Sequence, residues 1–294
     1  MSYEQIRTNR VLVNSLPKSG THLLAKAIQI FGYREYFTSD AYVTNTPKFL
    51  GSYEILRVLN NQNIVNNKSE EDVLNIGIIF PNLIPRSKLE YWLECLPKSQ
   101  YINGHIPYNP ELNKVLSSLN YNHVCIIRDP RAVTVSRLKF ILNSDSAKDI
   151  LPQGIPLKAD LEPMSTKERL NFLLNGGYAE KSDLTIYSFA QIYRSILAWG
   201  QDPNCLLVKF EDLIGEQGGG SKDKQAQTLR DLAAHLDIPW DEKISRQTKN
   251  VYDPKTRTFR VGNINSWKNA LEPENLARLT EYCEPLCKEA GYEI

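Results

Sequence analysis

Lys18, Ser19 and Thr21 stand within four residues of one another, with Gly20 among them, and together they could grip an anion. The ammonium supplies a mobile full charge and the hydroxyls supply donors. The run before them, Val11-Leu12-Val13, reads as a buried parallel-sheet strand. After them Leu23, Leu24, Ala27, Ile28 and Phe31 recur at helical spacing. Strand, glycine-containing loop and helix, in that order, aim unpaired backbone N–H groups and the positive end of a helix dipole at one point. The loop Leu16-Pro17-Lys18-Ser19-Gly20-Thr21 is therefore expected to cradle a phosphate or a group of that shape. The bland alternative is an ordinary strand-to-helix turn with an exposed lysine. The nucleoside-triphosphate loop G-x-x-x-x-G-K-[ST] is a poor match, because its lysine follows the second glycine. Here Lys18 precedes Gly20, and no glycine stands in the first position.

A second anion site is suggested by Ile126-Ile127-Arg128-Asp129-Pro130. A buried strand ends at Arg128, Asp129 is a good N-cap and Pro130 a good first helical residue. Ligands of open α/β sheets collect at the carboxyl ends of the strands, which puts the Arg128 guanidinium in the right place for phosphate oxygens. Ser136 follows about two helical turns later. Otherwise Arg128 pairs with a carboxylate and Ser136 faces solvent. A general base must come from the four histidines. His22 sits in the first turn after the loop, His123 begins a buried strand, and His235 lies on an amphipathic helix at its surface or boundary. His105 follows the short strand around Tyr101-Ile102, in Asn103-Gly104-His105-Ile106-Pro107, and so falls at a strand's carboxyl end.

Short apolar runs alternating with amphipathic segments position these residues. Strands are expected at 124–127 and 205–208, and helices near 52–60 and 86–96. Another helix is expected through Ile186, Phe189, Ala190, Tyr193, Ile196 and Leu197, and a final one through Leu276, Leu279, Cys283, Leu286 and Ala290, ended by Gly291. Residues 33–50 read as loop, 143–183 as a long region with scattered Pro and Gly and little periodicity, and 215–223, GEQGGGSKD, as a flexible connection. The sum is an α/β fold with a central, mainly parallel sheet flanked by helices. A formal net charge of +1 over 294 residues gives no general attraction to nucleic acid or to an anionic membrane. Five cysteines without a C-x-x-C pair form no disulfide or zinc framework and suit a reducing compartment. Cys283 and Cys287, one turn apart, read as small apolar residues on a buried face. The start of the chain has no apolar signal core, and no run of eighteen apolar residues exists, so a cytoplasmic location without a membrane span is expected.

The loop Pro17-Lys18-Ser19-Gly20-Thr21-His22-Leu23 resembles the PKSGTTW segment that binds the 5′-phosphosulfate in sulfotransferases using 3′-phosphoadenosine 5′-phosphosulfate (PAPS). His22 and Leu23 replace that family's second Thr and its Trp. The stretch from Arg128 to Ser136 is similar to the family's 3′-phosphate segment, and the resemblance implies that these two residues hold that phosphate. Phe259-Arg260-Val261-Gly262, followed by Trp267-Lys268-Asn269, resembles the family's C-terminal R-K-G triplet and its G-D-W-K-N run. By that resemblance Arg260 is a third 3′-phosphate ligand, Val261 stands in place of the Lys, and the backbone at Gly262 assists. Phe210-Glu211-Asp212 is similar to the Y-E-D segment and makes Phe210 an adenine contact. The catalytic His of the T-H-L-P segment corresponds to His105, while Asn103 stands where cytosolic members often carry a Lys.

These matches run in family order from residue 11 to 269, which implies one sulfotransferase domain over 1–294 with variable acceptor-side regions near 33–100 and 143–183. The implied reaction moves a sulfuryl group from PAPS to a hydroxyl or amine by in-line displacement, releasing adenosine 3′,5′-bisphosphate (PAP) and needing no metal. His105 is the base, and Lys18 stabilises the bridging oxygen. A kinase-like phosphoryl transferase would need Mg²⁺ carboxylates, and no convincing strand-Asp supplies them. A nucleotide-binding module without catalysis is the other alternative. The acceptor is expected to be a small molecule, lipid or carbohydrate, with Tyr36, Phe37, Tyr42, Tyr108 and Tyr178 as candidate pocket aromatics. Val251 to Asn265 lacks an apolar period and carries Arg260, which suggests a lid ordered by the cofactor.

Overall fold

A computed structural model describes residues 9–36, 46–61, 72–143, 157–252 and 263–294. Its strands are β1 (Arg10–Ser15), β2 (Arg34–Glu35), β3 (Phe49–Leu50), β4 (Val73–Asn75), β5 (Leu83–Pro85), β6 (Gln100–Gly104), β7 (Tyr121–Ile127), β8 (Gly177–Ala179), β9 (Leu184–Ile186) and β10 (Cys205–Lys209). The longer helices are α1 (Thr21–Ile30), α2 (Ser52–Asn61), α3 (Arg86–Glu94), α4 (Pro110–Ser118), α5 (Pro130–Leu142), α6 (Thr166–Asn175), α7 (Phe189–Leu197), α8 (Lys222–His235) and α9 (Pro273–Glu289). The central sheet runs β10-β7-β1-β6-β2 with β3 also on β6, and every pairing is parallel. β4–β5 and β8–β9 are antiparallel ribbons outside it.

The alternation of side chains along β1 builds two cores. Val11 and Val13 pack with Leu24, Ile28 and Phe31 of α1 and with Leu229 and Leu232 of α8. Leu12 points the other way, into a cluster with Ile102, Cys125, Ile127, Val133, Ile192 and Leu279. Each such side chain contributes about 1.5–3 kcal/mol by leaving water. Burial on both faces is why β1 and β7 read as unbroken apolar runs. The register sets Asn14 opposite Gly104, Ser15 opposite Ile126, and Lys209 opposite Ile127. The carboxyl ends of β6, β1, β7 and β10 are therefore level and side by side. Cys283 and Cys287 are fully buried on α9, as their spacing implies.

Four expectations about elements need correcting. Ile186 closes β9 and is not helical; α7 starts at Phe189 behind a Ser188–Gln191 capping box. The stretch 157–183 holds α6, which begins with a reciprocal Ser165–Glu168 capping box, and the β8–β9 ribbon. Residues 33–50 include β2 and β3, too short for periodicity to reveal. The GEQGGGSKD segment is an ordered turn. Gly215 and Gly219 take φ of 72° and 82°, the Gly220 N–H bonds the Gly215 carbonyl at 2.8 Å, and Gly218 is buried. Among the described residues no helix is long and apolar enough to cross a membrane.

Candidate active site

The loop between β1 and α1 is held open by its own backbone. The Ser19 N–H bonds the Leu16 carbonyl at 3.1 Å, and Lys18 takes φ 75°, Gly20 φ 108°. For a lysine the left-handed region costs about 1–2 kcal/mol, the kind of strain that functional loops carry. At Gly20 a Cβ would stand 2.6 Å from Phe210 Cδ2 and 3.2 Å from Ile126 Cδ1, so only glycine fits. The first turn of α1 carries no acidic residue, and Gly20 offers no side-chain cap. Ser19 is fully buried, and among the described residues its Oγ has no hydrogen-bond partner. An orphaned donor under a free helix N-terminus is costly in an empty fold and becomes favourable once an anion accepts from it. The Lys18 ammonium lies 4.4 Å from the centre of the Phe140 ring on α5.

Arg128 leaves the end of β7 next to this loop. Its guanidinium stacks 4.2 Å over the Phe210 ring and makes long contacts to the Lys18 carbonyl (3.5 Å) and the Asn263 carbonyl (3.4 Å), while its buried Nε has no partner among the described residues. Burial lowers its pKa, and nearby Glu211 and Asp129 oppose that shift. The turn beneath it is rigid. Asp129 caps α5 through the Arg131 N–H at 2.9 Å and forms a buried ion pair with the Arg131 guanidinium at 2.7 Å. Arg131 in turn stacks over Trp267 at 4.3 Å and bonds the Glu293 carbonyl at 2.7 Å. Glu211 accepts from the Asp129 N–H and the Tyr292 hydroxyl, and its burial raises its pKa. Phe210 is only 5% exposed, with one face under Arg128 and an edge against Gly20. It is placed as a platform for the guanidinium and the loop. Ser136 is half-buried one turn before Phe140 on α5, on the side of the helix that meets Lys18.

On the opposite side of β1, His105 follows the end of β6. Its Nδ1 lies 2.8 Å from the Ser15 carbonyl and 3.2 Å from Ser15 Oγ. A carbonyl can only accept, so Nδ1 carries the hydrogen and Nε2 keeps its lone pair. Ser15 Oγ continues to Thr21 Oγ1 at 2.6 Å, which links the histidine to the first residue of α1. The His105 N–H bonds the Leu50 carbonyl at 2.8 Å, and the ring meets Phe49 edge-on at 4.8 Å. Burial pushes its pKa down to about 4, helped by the charges of His22 and Lys18 and opposed by its backbone bonds. The strand beneath is fixed by Asn14, whose fully buried amide exchanges two 3.0 Å bonds with the Ile106 backbone.

The other histidines are sorted by this topology. His22 is exposed beside the loop, its pKa lowered by desolvation of the ring and then by Lys18. His123 and His235 lie toward the amino end of β7, away from the loop. The Trp199 ring packs on His123 at 4.2 Å, and His235 Nε2–H donates to the His123 carbonyl at 2.9 Å. Pro17 is half-buried in the loop. Arg260, Val261 and Gly262, like Phe37 and Tyr42, lie outside the described residues, as does 253–262 of the suggested lid. Tyr36 is buried with its hydroxyl on Thr46, Tyr108 packs on Trp199, and Tyr178 is 57% exposed on a ribbon. Those three are packing and surface residues. Asn103 donates its amide N–H to the Glu35 carboxylate at 2.7 Å. Sequence reading missed Asn14, Ser15, Phe49 and Phe140; only their level on adjacent strands and helices brings them to the site.

The family model described as "Sulfotransferase domain" matches residues 8–291. No curated protein sequence matches the chain. Among solved structures, mouse sulfotransferase SULT7A1 complexed with PAP superposes with a TM-score of 0.55 at 18% identity, covering 96% of this chain and 85% of that one. Retinol dehydratase in complex with retinol and PAP gives 0.53 at 15% identity, covering 96% and 82%. The same protein with androsterone and PAP gives 0.51 at 15% identity and the same coverage. At such identities the likeness is one of fold, and the single α/β domain expected from the sequence is what they share. A family model that fits all but the ends of the chain, on a fold of the same kind, makes this protein a member of the sulfotransferase-domain family.

Proposed function

We propose that the protein transfers a sulfuryl group from PAPS to a hydroxyl or amine of an acceptor, with His105 as general base. The observation that carries this reading is the meeting, at level strand ends, of a loop with orphaned anion donors and a histidine whose tautomer leaves Nε2 free. Lys18, the buried Ser19 hydroxyl, the backbone at Gly20 and Thr21, and His22 at the rim would hold the 5′-phosphosulfate. Arg128, steadied by Phe210, and Ser136 would hold the 3′-phosphate, with Arg260, Val261 and Gly262 completing that end. PAPS itself supplies an activated sulfuryl group on a good leaving phosphate.

His105 is neutral at pH 7, so its Nε2 can take the acceptor's proton, and the Ser15 carbonyl steadies the imidazolium that results. Lys18, in the loop itself, would meet the charge that grows on the bridging oxygen, where a fixed cation counts most. Regions 33–100 and 143–183 would form the acceptor side of the single domain, since α2 follows directly on the strand whose Phe49 touches His105. The acceptor is a small molecule, lipid or carbohydrate, and the protein is placed in the cytoplasm by its cysteine usage. Calorimetry with PAP, adenosine 5′-monophosphate and ATP, together with label transfer from PAPS to a mixed acceptor panel, tests the reading. Preference for PAP and transfer of label are expected. Preference for ATP would favour a phosphoryl transferase, and PAP binding without any transfer would favour a binding module.

A further inference from the structure

Arg137 lies in the middle of α5 and is 4% exposed. The other buried or half-buried arginines of this part of the fold have partners. Arg131 has Asp129 and the Glu293 carbonyl, and Arg128 reaches the carbonyls of Lys18 and Asn263. Among the described residues no carboxylate and no carbonyl accepts a hydrogen bond from Arg137. Its guanidinium has the Phe189 ring, at 5.9 Å, and feels the nearby Tyr53 phenol. Tyr53 packs on Phe80 at 5.3 Å, and its hydroxyl likewise has no hydrogen-bond partner among the described residues. Tyr53 packs against an apolar cluster that includes Phe80, Leu138, Ile141 and Ile186. Burial lowers the Arg137 pKa to about 10, and it raises that of Tyr53 to about 12 against the pull of Arg137. At pH 7 the pair is therefore one cation beside one neutral hydroxyl, whose oxygen can receive at most a small part of the five guanidinium hydrogens, and among the described residues no anion pairs with the charge. A buried charge is normally paired, because an unpaired one is strongly destabilising.

The position of this pair is informative. Phe140, three residues after Arg137 on α5, carries the Lys18 ammonium. Tyr53 sits in the first turn of α2, four residues after the Phe49 that touches His105. The donors thus stand on the α2 side of Lys18 and His105, the side the proposed reaction leaves for the acceptor. We propose that Arg137 and the Tyr53 hydroxyl bind an anionic group of the acceptor, so that the substrate is a hydroxyl compound already carrying a carboxylate, sulfate or phosphate. This rests on the sulfotransfer reading. The planar fork suits any of the three oxyanions.

The test uses the full chain and hydroxyl compounds in matched pairs: a carboxylic acid and its methyl ester, a sulfate or phosphate monoester and its neutral ether. Label transfer from PAPS gives kcat/KM for each. At least one anionic class is expected to exceed its neutral partner by about tenfold or more, the worth of a charge-assisted hydrogen bond, and the class that does so identifies the headgroup. In Arg137→Met the ratio falls to near one, mainly through KM, and the melting temperature stays at or above that of the wild type. Arg137→Lys, which keeps the charge without the fork, gives an intermediate ratio. Equal rates for both members of every pair in the wild type would overturn the inference, and that result needs no variant to fold. So would an unchanged ratio in Arg137→Met, a melting temperature lowered by several degrees, or a tenfold loss of PAP affinity that would assign Arg137 to the cofactor. Absence of both PAP binding and label transfer from the wild type would sink the sulfotransfer reading itself, and the inference with it.

Discussion

Gly20→Ala puts a single methyl into the tightest part of the loop, and a second glycine supplies its control. At Gly20 the added carbon meets two obstacles. The backbone sits at φ 108°, and the methyl would stand 2.6 Å from Phe210 Cδ2. The phenylalanine ring has little room to withdraw, because Arg128 lies 4.2 Å over it and the residue is buried. Gly32 also has a positive φ, 92°, but its Cβ would meet nothing within 4 Å. Gly32→Ala therefore pays the backbone term alone, about 1–2 kcal/mol. Gly20→Ala pays that and an overpacking term of about 1–3 kcal/mol. With roughly 2–4 °C per kcal/mol in a chain of this size, the Gly20 variant should melt about 2–12 °C below the Gly32 variant. Binding adds a second readout. Moving Phe210 moves the guanidinium it supports, so calorimetry should show PAP affinity lowered by tenfold or more in Gly20→Ala and unchanged in Gly32→Ala. If the two variants melt together and bind PAP alike, the loop is not packed against Phe210 as described, and the platform assigned to that ring is wrong.

Lys18→Ala is expected to lower kcat by about 10²–10³-fold with a much smaller change in PAP affinity, as single-turnover kinetics and calorimetry would show; turnover within a few-fold of wild type refutes its role at the bridging oxygen. Arg128→Ala should erase the preference for PAP over adenosine 5′-monophosphate in calorimetry, and retention of that preference would place the 3′-phosphate elsewhere. His105→Gln should cost about 10²–10⁴-fold in kcat/KM, and the acid limb of the wild-type pH profile should fall near pH 4, where burial sets the His105 pKa, instead of near 6.5. Stability follows the same group. The folded-state value lies below that of the unfolded chain, so as pH falls from 6.5 toward 4 the unfolded chain takes up a proton that the folded chain refuses, and about 3 kcal/mol is lost. Chemical denaturation of wild type and His105→Gln across that range checks the sign, and parallel curves would mean the histidine is not desolvated.

The loop, the β7–α5 turn and His105 could be read from the sequence because each is a local pattern: a strand run, a turn residue and a helix start written consecutively. What supports them is not local. Asn14 is an unremarkable polar residue in an apolar run until the register sets it beside Gly104, where its amide locks the Ile106 backbone. Ser15 reads as the end of a strand, yet its carbonyl fixes the His105 tautomer across the β1–β6 pairing. The resemblance implies an adenine contact for Phe210, whereas its burial under Arg128 depends on β10 lying beside β7 and is not written in the sequence. The α6 start was written plainly, as Ser165 followed three residues later by Glu168, and was hidden by the few apolar positions around it. Arg137 shows the same limit in reverse. On a helix in which nearly every residue is buried, hydrophobic periodicity gives no facing direction, so nothing in the sequence singles this arginine out. The fold buries it with the Phe189 ring 5.9 Å away and Tyr53 nearby, both from distant parts of the chain. A buried charge with no anionic partner among the described residues is what the proposed anionic acceptor would answer, so that proposal starts from a packing conflict and not from a motif.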